Sequence, residues 1–233
     1  MKKLIAAIAM VGAVATASFA LTFKASAGFA YGYSNIFDTQ KQSLNIGPFS
    51  IAESNYKTET KNNSLGFKLQ GTLGLTNNLG ITLESSFLFP INGTAFKYTN
   101  LDNGKTYEDT TNYDGSFICN LLIGPTYTFN PKSKFTFDAT VGFDIGVNNY
   151  STKISDSSTS TKSYALIGIG AKADAQLLVT KHAGLKFGLT FAYLWGNQYI
   201  NVVTSSSGSD TTTKPFEANG FYLIPDVSLV YKF

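Results

Sequence analysis

The sequence lacks arginine altogether: all 18 basic residues are lysine, set against 15 acids, for a net charge of +3. So weak a balance, without the planar guanidinium fork, excludes nucleic acid as a partner. One cysteine excludes an internal disulfide and any cysteine-rich metal site. One histidine, His182, sits in a short polar stretch beside Lys181, so no catalytic residue and no metal site is expected. Hydrolysis at a membrane surface needs a base near neutral pKa beside a hydroxyl or water, and nothing else supplies one. Charge is scarce too, at 14% where soluble domains carry roughly 25%. Disorder is excluded by a 43% hydrophobic, 14% aromatic composition.

The first apolar run belongs to export. Lys2 and Lys3 precede an uncharged stretch from Leu4 to Phe23, with small-residue cleavage sites at Ser18-Phe19-Ala20 and Ala25-Ser26-Ala27. Cleavage after Ala20 is the expectation, with residue 27 as the alternative end, because a two-residue alternation already begins at Leu21. That leaves residues 21–233 as one domain.

Past residue 23 no apolar run reaches the roughly 18 residues of a transmembrane helix. Alternation takes its place, with the apolar residue at odd numbers in eight runs: 21–33, 65–75, 79–89, 117–129, 135–147, 165–177, 185–195 and 221–233. A soluble strand averages about five or six residues, whereas these runs match the roughly 9 to 11 that a tilted strand needs to cross a bilayer. No odd position in them is charged, and Ser85 is the clearly polar exception. The even positions hold Lys24, Lys68, Glu84, Asp138, Asp144, Lys172, Asp174, Lys186, Asp226 and Lys232. Odd therefore faces lipid and even a polar interior, the pattern of a transmembrane barrel. In lipid a sheet pairs all its backbone groups only by closing.

Connections alternate as well. Short turns fall at Asn77-Asn78, 130–134 and 180–182, and long polar loops are expected at 34–63, 90–116, 148–163 and 196–219. Aromatic girdles follow at the strand ends: Tyr31, Tyr33, Phe89, Phe117, Tyr193 and Trp195 on the loop side; Phe23, Tyr127, Phe129, Phe135, Tyr231 and Phe233 on the turn side. Gly168-Ile169-Gly170-Ala171-Lys172-Ala173 loosely matches a dinucleotide fingerprint, but no helix follows it, and no cofactor is expected.

The C-terminal Val227-Ser228-Leu229-Val230-Tyr231-Lys232-Phe233, with its final Phe, resembles the terminal strand signature of bacterial outer-membrane proteins. With eight runs, the chain resembles the small outer-membrane barrels: the OmpA membrane domain, the OmpX/Ail adhesins, the opacity antigens and the OmpW channels. The resemblance implies an all-β, eight-stranded antiparallel up-and-down barrel in the outer membrane, loops outside and termini in the periplasm. It implies lipid and the barrel assembly machinery as partners, the latter reading Leu229, Tyr231 and Phe233.

Five interior lysines against five interior acids read as a salt-bridged plug, since an eight-stranded barrel is just wide enough for side chains to fill. A second interior set is apolar and lies toward the loop ends: Leu88, Ile118, Leu122, Tyr164, Leu166, Leu194, Tyr222 and Ile224. It reads either as a lid or as a vestibule for a small hydrophobic ligand, as OmpW-type channels would imply. The loops, rich in Ser, Thr, Asn and Tyr, have the composition of adaptable binding surfaces. The expectation is a monomer with a structural and surface-binding role for a host or surface ligand; a narrow channel for small apolar solutes is the alternative.

Overall fold

A computed structural model describes residues 21–46, 49–111, 116–155, 158–204, 209–212 and 216–233; the expected export segment lies outside them. Ten strands follow in order: β1 (Thr22–Ile46), β2 (Phe49–Gly74), β3 (Leu79–Asn100), β4 (Thr106–Thr111), β5 (Phe117–Phe129), β6 (Phe135–Ser155), β7 (Ser158–Leu178), β8 (Ala183–Thr204), β9 (Ser209–Thr212) and β10 (Phe216–Lys232). All pairings are antiparallel; β3 pairs with β5 past β4, β8 with β10 past β9, and β10 closes the wall by pairing with β1 on its other side. Eight strands form the closed wall; β4 and β9 are short additions at its loop end.

The register fixes the barrel's shape. Partner by partner, Gly28 leads to Lys68, Ser86, Asn120, Gly146, Leu166, Gly196, Ala218 and back to β1 at Asp38, ten residues from the start. Eight strands with that stagger tilt by about 41° and enclose a backbone radius of about 8 Å, given the standard strand rise and spacing. Each residue then climbs about 2.5 Å, so about ten residues cross an apolar band about 25 Å tall. The eight sequence runs supply that length. Burial alternates with them: along β5 the odd residues are exposed or half-exposed while Ile118, Asn120, Leu122, Gly124 and Thr126 are buried.

The turn end is tight because hydroxyls serve the backbone there. Thr76 Oγ1 accepts from the Asn78 and Leu79 amides, Ser133 Oγ from Phe135, and Thr180 Oγ1 from His182 and Ala183. Such side-chain bonds are what favour Ser and Thr at turns. Asn130 takes a positive φ of 51° in the second of these turns. In the wall, the β5–β6 ladder skips Gly124 and Pro125, since proline lacks the donor. The neighbouring backbone passes close here, as it does at Gly66 and Gly168: a Cβ on Gly142 would lie 2.0 Å from the Ile123 carbonyl oxygen.

The expected long loops are mostly strand. β1 and β2 pair as far as Ile46 and Phe49, and β6 and β7 as far as Ser155 and Ser158, each ladder with one register shift near its tip. Beyond the membrane the outward residue has no reason to be apolar, so alternation fades while the ladder continues. Among the described residues β4 pairs only with β3 and β9 only with β8. The loop end thereby divides into one sheet of β1–β4 and another of β6–β9. Aromatic contacts mark both expected girdles, with Tyr33 and Phe221 at 5.9 Å, Tyr193 and Trp195 at 6.5 Å, Phe23 and Phe233 at 5.6 Å, and Tyr127 and Phe129 at 4.7 Å.

Candidate functional site

The lumen is built in layers, beginning at the turn end with a threonine belt. Thr72, Thr82, Thr126 and Thr140, on β2, β3, β5 and β6, link in series at 2.9, 2.6 and 2.8 Å. Nearby, Lys24 Nζ lies 2.6 Å from Asp138 Oδ2, which Gln176 also contacts. A small pocket of about 40 Å³ opens here, lined in part by Lys24, Thr136 and Lys232.

Above this level three lysines and three acids interlock. Lys68 Nζ reaches Glu84 at 2.9 Å, Asp226 at 2.8 Å and the Thr190 hydroxyl at 2.8 Å. Lys172 contacts Glu84 and lies 2.8 Å from Asp174; Lys186 stands farther off, 3.9 Å from Asp174 and 3.7 Å from Asp226. Gln70 binds the group together, its carbonyl accepting from Lys172 and Lys186 and its amide donating to Asp174 at 3.1 Å. Lys68 and Lys186 are each 1% exposed. Side chains lining an aqueous pore must be reached by water, and these are not. Asp144 stands apart: it is fully buried, accepts from Asn120 Nδ2 at 2.7 Å, and has no lysine within ion-pair distance among the described residues.

The apolar set comes next. Leu88, Ile118, Tyr164, Leu166, Leu194, Tyr222 and Ile224 form one buried cluster, and Leu122 is buried as deeply. The cluster also takes in Ile36, Tyr150 and Ala218 from stretches expected to be loop, so it is thicker than the sequence suggested. Its hydroxyls are engaged: Tyr222 donates to Asn148 Oδ1 at 2.8 Å and Tyr164 to Asp38 at 3.0 Å.

At the mouth, Lys162 of β7 reaches across to β3. Its Nζ is 3.1 Å from the Tyr98 hydroxyl and 4.7 Å from the Phe96 ring centre, an ammonium over an aromatic face. On the outer surface beyond the girdle, Glu59 accepts from Asn35 at 2.8 Å and pairs with Lys61 at 3.1 Å. Burial pushes the Glu59 carboxyl up, but Asn35 and Lys61 outweigh it and hold it below the ordinary carboxylate range.

The network partners Gln70, Gln176, Thr190 and Ser228 are not singled out by charge, although their even numbering places them inside. His182 is an exposed turn residue whose Nδ1 is 2.9 Å from the Lys232 carbonyl. Lys232 is partly exposed at the turn end, and Cys119 is a half-exposed free thiol on the outward face.

A closed eight-stranded antiparallel wall, apolar outside and polar within, defines a small β-barrel of the outer-membrane type. Among solved structures the chain is similar to the outer membrane protein OprG from Pseudomonas aeruginosa, with TM-score 0.52 and 11% identity over 91% of this chain and 95% of that one. It is also similar to the outer membrane protease OmpT from Escherichia coli (TM-score 0.47, 11% identity, 91% and 96% covered) and to Neisserial surface protein A (TM-score 0.38, 15%, 89% and 99%). At these identities the likeness is one of fold. Residues 29–217 match the family described as Domain of unknown function (DUF2715), and the chain belongs to it. No curated protein matches the sequence.

Proposed function

We propose that the chain is a bacterial outer-membrane barrel, without catalysis, whose sealed lumen acts as a rigid support for a surface-binding site at its loop end. Its short turns and termini face the periplasm, and the two sheets of the loop end face outward. The observation that carries this reading is the burial of lumen side chains at two successive levels, the ion network and the apolar cluster. With conduction blocked, the projecting sheets are the part left to meet a partner, a host or surface ligand. Leu229, Tyr231 and Phe233 serve assembly in this reading, and the barrel is a monomer.

A second reading is favoured by one feature. Apolar side chains close the lumen above the ions, which suits a gate for small hydrophobic solutes. Residues 21–233, refolded and checked by the heat-modifiable gel shift of a closed barrel, should be silent in a planar bilayer. On intact cells, Tyr107→Cys in a Cys119→Ser background should react with an impermeant maleimide. Discrete conductance steps in the native sequence would replace the first reading with the second, and an unlabelled Tyr107→Cys would reverse the orientation.

A further inference from the structure

The outward wall is hollowed near the seam where the first and last strands meet. There the lipid-facing residues are small, Ala25 and Ala27 on β1, Gly71 on β2 and Ser85 on β3, and they floor a groove of about 1040 Å³ between flanks that include Leu69 and Leu229. Its lining reaches Tyr231 and Ala183 at the turn end. Tyr231 carries the His182 ring stacked on it at 6.0 Å, and Lys181 is exposed in the same turn, two residues before Ala183. The three short turns contribute Lys132, Lys134 and Lys181 without an acid.

An apolar trough inside the membrane band that ends under a cationic turn has the layout of an acyl-chain site with a phosphate at its mouth. Burying methylenes against protein adds little over lipid alone, so selectivity must come from the charge. Basic groups near a membrane surface attract anionic headgroups. We propose that this groove holds one anionic phospholipid of the leaflet on the turn side, its chains on the small-residue floor and its phosphate facing Lys181. The inference needs the barrel to span a membrane, but not the surface-binding role.

The test uses residues 21–233 refolded in maltoside micelles containing equimolar phosphatidylglycerol and phosphatidylethanolamine, washed with lipid-free detergent and weighed by native mass spectrometry. One phosphatidylglycerol should remain per barrel. Filling the floor with Ala27→Phe and Ser85→Phe should reduce that species at least tenfold. Lys181→Glu, an exposed change that leaves the wall intact, should abolish the preference for phosphatidylglycerol. No retained lipid, equal retention by the filled variant, or a preference that survives Lys181→Glu would each overturn the proposal. So would a native dimer that the filled variant loses, since a second copy would then occupy the groove.

Discussion

Replacing Lys68 by methionine tests whether the ion network holds the barrel together. Its ammonium is shared by Glu84 at 2.9 Å and Asp226 at 2.8 Å, all three groups being buried. Removing the cation leaves Glu84 to Lys172 and the Thr190 hydroxyl at 2.8 Å, and Asp226 to Lys186 at 3.7 Å and the Ser228 hydroxyl at 2.7 Å. Three acids then share two lysines where three had balanced them. Breaking a buried pair by removing one partner costs about 3 to 5 kcal/mol, roughly two to three and a half decades in the folding equilibrium at about 1.4 kcal/mol per decade. Taking away one acid as well restores neutrality, so Lys68→Met with Asp226→Asn should recover a good part of the loss. Urea unfolding of the refolded barrel in micelles reads this out through Trp195, the one tryptophan, with the gel shift as a second probe. A single variant as stable as the native protein, or a double variant worse than the single, would refute the claim that these charges act as one balanced unit.

Two further changes address the lid and the wall. Leu194→Ala deletes a fully buried side chain from the apolar cluster and should cost about 2 to 5 kcal/mol; conductance steps appearing in this variant would mark the cluster as a gate, and continued silence would mark the ion network below as sufficient. Gly142→Val places a side chain where the Ile123 carbonyl oxygen already stands 2.0 Å from the Cβ position, so no heat-modifiable band should form, whereas Gly104→Asn, in a loop-end hairpin with open space around it and a φ of +69° that Asn tolerates, should still give one.

How far the architecture could be read from the residues depends on which solvent each residue meets. In the membrane band the lipid forbids charge at every odd position, so parity alone separates the two faces, and Lys68, Lys172, Glu84 and Asp226 fall inside as their numbers require. The same parity identifies eight runs, and the ladders pair them in chain order. Past Tyr33 or Phe89 water covers the outer face, Lys57, Lys61 and Lys97 stand at odd positions, and the contrast that revealed a strand disappears. The backbone nevertheless keeps its ladder, because Thr58, Thr60 and Asn62 at even numbers still point inward and bury. An inward pattern of small polar residues with no outward apolar partner looks like a loop in sequence. Only the pairing of distant segments, such as Lys57 with Thr99 and Thr39, distinguishes it. The lid was incomplete for the same cause: Ile36 and Tyr150 lie on these polar continuations, where isolated apolar residues carry no periodic signal. Individual partners were illegible for a different reason. Parity places a side chain inside, but the ten-residue stagger decides which charge it meets across the lumen, and that stagger follows from turn lengths and bulges that no alternation encodes.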